Sequence, residues 1–561
     1  MLPDNKCNFG ILNRILHMKK SIVFFLLILS FFGFSLLPEP GNRYFEITKN
    51  IELFTNVYKE LNYYYVDDIE PGKLMKIGID AMLNSLDPYT NYFSEAQVEN
   101  YRFNTEGKYH GIGAGIKFID GLPTVSELFE ESPAYKSGLL IGDQIIGISG
   151  KAVKGKSQDE INAMMEAPGE EKLDLLIKRP GENKENAISV TRGEVDVPNV
   201  PYSGMVSDKI GYINLTIFTD QAGAHVASAL QSLKKEHPEM SGLILDLRDN
   251  GGGLLREAVN VCNVFIPKNE LVVTTKGKVK EWDRAFKTLQ SGVDEKIPLT
   301  ILVDKGTASA SEIVSGVIQD YDRGVVIGQR SYGKGLVQNT RPIGYNSQVK
   351  LTTAKYYVPS GRCIQAVEYE NGEPKNIPDS LRAEFKTRAG RKVLDGGGIR
   401  PDVFIDASSG SETLNQLIQQ DIIFKYCSEF KVKHKEIKAI KEFKFDAYDE
   451  FKKYVTSSGF KYKSPVQKVF SELKELAASQ SDLKNLSIDV DALANKYKEN
   501  IPDLLEQSKS LIIKQIEKEI IPRYYLQKGK IEKSLQVDEE IQVAISLLNN
   551  PDKYQSYLKK Q

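Results

Sequence analysis

The chain has 561 residues, 41% hydrophobic and 27% charged. That is too long for one hydrophobic core and ordinary in make-up, so about two to four globular domains are expected. Its 74 basic and 75 acidic side chains leave a net charge of -1, which excludes both a nucleic-acid-binding basic field and an acidic disordered tail. Four cysteines (Cys7, Cys262, Cys363, Cys427) without a C-x-x-C pair argue against a zinc ribbon, a thioredoxin-type site or a disulfide scaffold.

In chain order, Met18-Lys19-Lys20 precedes an almost wholly apolar run from Ile22 to Leu37, ended by Pro38-Glu39-Pro40. A basic start, an apolar stretch and a helix breaker make an export signal. We expect residues 1–40 to be either a cleaved signal or a retained anchor in the cytoplasmic membrane through residues 21–37, and the protein to be exported to the periplasm or cell envelope. From Glu46 to Asn84 the spacing predicts helix, within an N-terminal helical segment over 41–106. Leu86-Asp87-Pro88-Tyr89-Thr90 reads as a turn.

A strand-rich module follows over 107–193. It has strands at Ile116–Ile119, Thr124–Leu128, Gln144–Ile148 and, last, Lys172–Lys178. Helices are predicted after Ser132-Pro133 and over Lys156–Met165. From about 194 to 405, strands and helices alternate. Strands fall at Ile210–Phe218, Leu243–Leu247, Leu299–Val303, Val325–Ile327 and Val349–Val358. Helices fall at Ala222–Lys235, Leu254–Val264 and Ser311–Tyr321. This rhythm predicts a layered α/β domain. Residues 406–561 are Lys- and Glu-rich and helical, and read as a separate C-terminal helical domain.

Three stretches of the α/β domain fit one chemistry. Asp246-Leu247-Arg248-Asp249-Asn250-Gly251-Gly252-Gly253 follows a buried strand; its glycines leave backbone N–H groups uncovered where a helix begins, though a plain tight turn has the same look. Gly306-Thr307-Ala308-Ser309-Ala310-Ser311-Glu312 places small residues around a hydroxyl at a helix start. Serine is also a common N-cap, and Ser311 before Glu312 is the expected capping residue, leaving Ser309 free. In Gly333-Lys334-Gly335-Leu336-Val337-Gln338 a lysine sits between two glycines. To act as a base near pH 7 its pKa must fall by roughly three units from about 10.4, which burial can supply. Gln338, four residues on, is placed to hold the amine. Gly335 after Lys334 breaks the phosphate-loop pattern, and none of His17, His110, His225, His237 and His434 lies in the glycine-rich stretches, so neither a nucleotide loop nor a Ser-His-Asp triad is favoured.

Taken in order, these stretches resemble the C-terminal processing (tail-specific) peptidases. Leu86 to Thr90 is similar to their Leu-Asp-Pro-His-Thr element, with Tyr89 in place of His. The 107–193 module resembles a PDZ domain. Asp246–Gly253, Thr307–Ile313 and Gly333–Gln338 resemble their glycine turn, nucleophile stretch and lysine loop. Tyr357-Val358-Pro359-Ser360-Gly361 and Gly398-Ile399-Arg400-Pro401-Asp402 match the end of the core. The resemblance covers about 44–406.

It implies a multidomain α/β serine endopeptidase: a layered α/β protease core with an inserted PDZ-like domain, an N-terminal helical segment and a C-terminal α-helical domain. Ser309 would be the nucleophile, Lys334 the general base and Gln338 its orienting partner, with no metal or cofactor. The Ala310 N–H and one of Gly252 or Gly253 would form the oxyanion hole. Gly111, Ile112, Gly113 and Ala114 would hold the C-terminal carboxylate of a protein or peptide substrate. Gly251 stands where the family's turn has Pro, and Glu166 where many members have Arg, which puts that arginine's link between PDZ and core in doubt. The region past 406 lies outside the resemblance; holding substrate, pairing protomers or binding an adaptor are its open roles. A non-catalytic tail-binding protein and a hydrolase of small amides or esters are the rival readings.

Overall fold

The computed structural model describes residues 40–94, 107–165, 171–365, 369–406 without 371, 372 and 376, 411–479, 493 and 500–559. The apolar run 22–37 and Glu166 lie outside these. Among the described residues no helix is long and apolar enough to cross a membrane.

The first compact unit ends at Ser85. Its helical pattern divides into α1 (Pro40–Tyr64) and α2 (Pro71–Asn84). The break falls where Asp67-Asp68 is followed by Pro71 in the first turn of α2, a position whose missing N–H costs nothing. Tyr58 Oη donates to the Pro71 carbonyl (2.8 Å), tying the two helices.

The second unit runs from Leu86 to Gln561. After β1 (Asn91–Phe93) comes the 107–193 module: β2 (Lys108–Gly111), β3 (Ala114–Ile119), β4 (Leu122–Leu128), α3 (Pro133–Lys136), β5 (Gln144–Ile148), β6 (Lys151–Ala152), α4 (Gln158–Met165), β7 (Lys172–Lys178), β8 (Glu185–Thr191) and β9 (Gly193–Asp196). The sheet order is β3-β4-β5-β7-β8, so β3 lies at an edge. The expectation that Lys172–Lys178 is the last strand is corrected: β8 pairs with it along its whole length. Only one face of β8 is covered, and its polar alternation (Glu185, Asn186, Ser189, Thr191) hid it.

The core has β10 (Tyr202–Met205), β11 (Ile210–Asn214), α5 (Ala222–Glu236), β12 (Gly242–Asp246), α6 (Leu255–Phe265), β13 (Leu271–Gly277), β14 (Arg284–Lys287), β15 (Leu299–Val303), α7 (Ala310–Asp320), β16 (Val325–Gly328), β17 (Leu336–Gly344) and β18 (Ser347–Tyr357). Two short hairpins, β19–β20 (Tyr369–Glu370, Glu373–Pro374) and β21–β22 (Glu384–Lys386, Lys392–Leu394), and β23 (Val403–Phe404) follow. The main sheet runs β10-β11-β12-β15-β16-β23, parallel from β11 onward. Every residue of β11, β12, β15 and β16 is buried, as a parallel sheet covered on both faces requires. An antiparallel sheet of β1, β18, β13, β14 and β17 stands beside it.

Helices α5, α6 and α7 cover one face, packing Val226, Leu230, Val261, Phe265, Ile313 and Val317 on Leu245, Leu299 and Ile301. The other face is covered from the far end of the chain. The C-terminal region forms α8 (Glu412–Gln419), α9 (Ile422–Lys433), α10 (Tyr448–Ser457), α11 (Pro465–Ser479), α12 (Ile501–Gln507), α13 (Lys509–Ile520), α14 (Pro522–Leu535), α15 (Glu539–Leu548) and α16 (Pro551–Leu558). Helices α8 to α10, α12 and α13 share a core around Tyr426, Phe451 and Ile516. In contrast, Ile541, Ala544, Leu547 and Tyr554 of α15 and α16 pack on Tyr212, Ile244, Leu302 and Ile327. The last helices of this region therefore also cover the main sheet, which would otherwise expose its second apolar face. The region also grips the 107–193 module. Phe424 enters that module's core, and ion pairs join Lys117 to Asp421 and Lys425 to Asp120, both 2.8 Å.

Candidate active site

Three loops leave the carboxyl ends of adjacent parallel strands: 247–254 after β12, 304–309 after β15 and 329–335 after β16. That edge is where open parallel sheets gather their ligands. Hydrogen bonds stitch the loops together. Thr307 Oγ1 donates to the Leu247 carbonyl (2.8 Å), Ala308 N–H to Asn250 O (3.0 Å), Ser311 Oγ to the same oxygen (2.9 Å) and Tyr332 N–H to Thr307 O (3.0 Å).

Ser309 is the residue at the N-cap of α7, with φ 57° and ψ -113°. A non-glycine residue there costs about 1–3 kcal/mol, which the surrounding bonds must offset. Ser311, expected to be the cap, is instead fully buried inside the helix with its hydroxyl on Asn250.

Two groups clamp Ser309 and Lys334 together. The Glu312 carboxylate is fully buried and accepts four bonds. Oε2 takes the N–H groups of Ser309 and Lys334, each at 2.8 Å; Oε1 takes Gly333 N–H (2.7 Å) and Ser331 Oγ (2.5 Å). Burial pushes its pKa up to about 7, against the lowering effect of those donors. From the other side, Tyr356 Oη reaches both the Ser309 carbonyl (3.0 Å) and the Lys334 carbonyl. The two backbones are thus held at one carboxylate oxygen and one phenol.

The Lys334 amine is largely shielded. Its Nζ lies over the Tyr89 ring, 4.4 Å from the centroid. Its pKa falls to about 8, first through desolvation, then through the nearby Lys350 cation; Glu312 and Asp87 oppose the fall. The Leu86–Thr90 turn, which resembles the family's Leu-Asp-Pro-His-Thr element, therefore forms one wall of the lysine site. Asp87 Oδ1 holds it by accepting from Tyr89 N–H and Thr90 N–H, both 2.8 Å.

Gln338, expected to orient Lys334, donates from Nε2 to Thr352 Oγ1 (3.2 Å), and Thr352 N–H donates in turn to Thr90 Oγ1 (3.2 Å). The pairing of β17 with β18 shifts register between Val337 and Gln338.

The glycine turn lies against Ser309. A Cβ on Gly252, at φ +100°, would sit 2.8 Å from both Ser309 Cβ and Ala308 O. Of the two glycine donors left open, Gly252 N–H is already spent on Asn250 Oδ1 (2.9 Å). Phe218 brackets Gly253, through Phe218 N–H to Gly252 O (2.9 Å) and Leu254 N–H to Phe218 O (2.8 Å), and neither bond uses Gly253 N–H. Ala310 is the first residue of α7, so no carbonyl of its own helix can take its N–H.

Gly111 to Ala114 joins β2 to the edge strand β3. Gly113, at φ +74°, donates its N–H to the Tyr109 hydroxyl. The Tyr109 ring folds over Gly111, where a Cβ would meet Cε2 at 2.5 Å.

Residues 209–371 match the family model "Peptidase family S41", 124–179 a PDZ domain model and 413–548 "Probable PDZ-protease, C-terminal helical domain". A "Carboxy-terminal-processing protease" of Bartonella bacilliformis is 36% identical over 57% of this chain and 73% of its own length. The chain belongs to peptidase family S41. This S41 chain is a serine-type peptidase with a PDZ domain and a C-terminal helical domain. A "Probable CtpA-like serine protease" of Staphylococcus aureus is 33% identical over 56% of this chain and 62% of its own length. Among solved structures, a photosystem II D1 C-terminal processing protease is similar at 25% identity over 64% of this chain and 93% of its own, with a TM-score of 0.36.

Sequence reasoning missed Glu312, Tyr356, Asp87 and Lys350 as site groups. In the sequence Glu312 stands only as the neighbour of the expected cap, Ser311, and Tyr356 lies beside a stretch that matches the family only as the end of its core. Neither carries a local signal of its own, because each acts by reaching across from another element.

Proposed function

We propose that this S41 peptidase is an endopeptidase of the cell envelope that cleaves exported proteins near their C-termini by a Ser-Lys mechanism. Ser309 Oγ attacks the scissile carbonyl while Lys334 Nζ takes its proton and then delivers it to the leaving amine. The oxyanion is received by the Ala310 N–H with Gly253 N–H as second donor, Gly252 being engaged. Such a donor supplies about 2.7–4 kcal/mol of transition-state stabilisation.

The observation that carries this reading is the shared anchoring of Ser309 and Lys334 on Glu312 and Tyr356, with the lysine amine pushed towards neutrality. A pKa of about 8 leaves about one amine in ten neutral at pH 7, enough for a base. Lys334 is steered by the Tyr89 ring and its fixed backbone.

The PDZ domain takes the substrate tail as an added strand on the edge of β3, with its terminal carboxylate at Gly111–Ala114. The carboxylate displaces the Tyr109 hydroxyl from Gly113 N–H. The apolar run 22–37 directs export.

Cleavage of a protein with a free C-terminus, compared among the wild type, Ser309→Ala and Lys334→Ala, tests the chemistry; normal cleavage by either variant refutes the dyad. Amidating the substrate C-terminus tests the tail site, and unchanged turnover removes it.

A further inference from the structure

The glycine turn is held from an unexpected quarter. Arg248, two residues past β12, donates from Nε to Asp246 Oδ1 (2.9 Å) and from Nη2 to Asp246 Oδ2 (2.6 Å). Its Nη1 reaches Asp538 Oδ2 (2.7 Å) and Glu540 Oε2 (2.5 Å). Three carboxylates thus share one guanidinium, and all four side chains are at least four-fifths buried. Two of the carboxylates come from the C-terminal helical region, nearly 300 residues away in sequence. Asp538 is also the N-cap of α15, accepting from Ile541 N–H (3.1 Å). The helix itself is fixed by packing Ile541, Ala544 and Leu547 on the underside of the main sheet.

From Arg248 the turn runs straight into the site. The Asn250 carbonyl accepts from Ala308 N–H and Ser311 Oγ, on either side of Ser309. The Asn250 side chain spans from Gly252 N–H to the Leu215 carbonyl (2.7 Å), and Gly252 lies against Ser309. A shift at Arg248 is therefore passed by two residues of backbone to the groups that flank the hydroxyl. If the guanidinium lost Asp538 and Glu540, it would be anchored only to its own strand.

We propose that Asp538 and Glu540 are positioning residues of the peptidase site, acting through Arg248 to fix the 248–253 turn beneath Ser309. On this account the C-terminal helical region supplies part of the active-site scaffold. The proposal rests on the reading of Ser309 as nucleophile.

The test uses the full chain with Asp538→Asn plus Glu540→Gln, which keep shape and remove charge. Glu540→Gln alone serves as the milder variant, and Arg248→Lys keeps the charge but loses the fork that reaches three carboxylates. Cleavage of a tailed protein is followed at a temperature well below unfolding, with tail-peptide binding to the PDZ domain measured in parallel. The expected result is a kcat lowered about tenfold in the paired variant, KM and tail binding within roughly twofold of wild type, and partial recovery in Glu540→Asp. Adding Arg248→Lys to the paired variant lowers kcat no further, because both changes act through the same turn. Wild-type kcat in the paired variant, whatever its melting temperature, overturns the proposal. So does an additive loss on combining the changes. A Ser309→Ala enzyme that still cleaves overturns instead the nucleophile reading beneath it.

Discussion

Lys350 sets how much of the Lys334 amine is neutral. It lies on β18, half-buried, and is the strongest charged contributor to the lowered pKa of Lys334, second only to desolvation. Replacing it with Met keeps an unbranched side chain on the strand and removes the repelling cation. The groups facing Lys334 are then the Tyr89 ring from the 86–90 turn, Asp87 from the same turn and Glu312 from α7, and both carboxylates favour the ammonium. The pKa of Lys334 therefore rises from about 8. A close like charge is worth about half a unit to one unit here, so the neutral fraction at pH 7 falls roughly three- to tenfold. The base works only as the free amine, so activity climbs with pH through the Lys334 pKa in both enzymes, and the limb of Lys350→Met lies at higher pH. The assay is kcat/KM on a tailed protein from pH 6 to pH 10. Lys350→Met should be roughly three- to tenfold slower at pH 7 and converge on the wild type near pH 10. A constant ratio across the whole range would refute the electrostatic reasoning, because it would mark a misplaced β18, not a shifted base.

Further outcomes follow from other contacts. Asp87→Asn keeps an oxygen for the Tyr89 and Thr90 N–H groups and removes a charge that favours the ammonium, so its pH limb should move to lower pH in the same assay. Gly252→Ala, forced to φ +100° and against Ser309 Cβ, should lower kcat by about a hundredfold in single-turnover cleavage. Tyr109→Phe frees Gly113 N–H and should tighten binding of a tail peptide about two- to tenfold by calorimetry, while leaving binding of the amidated peptide unchanged. Phe424→Ala empties a slot in the PDZ core and should cost about 3–5 kcal/mol in urea denaturation, with earlier proteolysis between the PDZ domain and α9.

Much of the core was legible because parallel strands buried on both faces write themselves as short apolar runs. Leu299–Val303 was placed to the residue and the helix carrying Ser309 within one; in the 107–193 module the antiparallel strands Gln144–Ile148 and Lys172–Lys178 were also placed to the residue, from their apolar and alternating patterns. The strands β13, β14 and β17 were not seen. They belong to the antiparallel sheet, and polar or partly exposed residues such as Lys276, Arg284 and Asn339 blur their pattern. The loops bearing Ser309, Lys334 and the glycines were legible from small residues where the backbone must come close. Their supports were not. Glu312 reaches the lysine loop 22 residues ahead, Tyr356 reaches back over both, and Asp538 meets Arg248 across 290 positions. No local pattern encodes such meetings; they follow from which strands lie side by side. The placement of α15 and α16 on the main sheet was hidden for the same reason, since a helix that covers a distant sheet looks in sequence like any amphipathic helix.

The most direct test of the central claim, that the Lys334 amine is the base for Ser309, is chemical rescue of Lys334→Ala by small alkylamines. The variant alone should be inactive, and added amine should restore cleavage in proportion to the neutral amine, so that a given total concentration works better as pH rises. Cleavage by Lys334→Ala at the wild-type rate without any amine would contradict the claim.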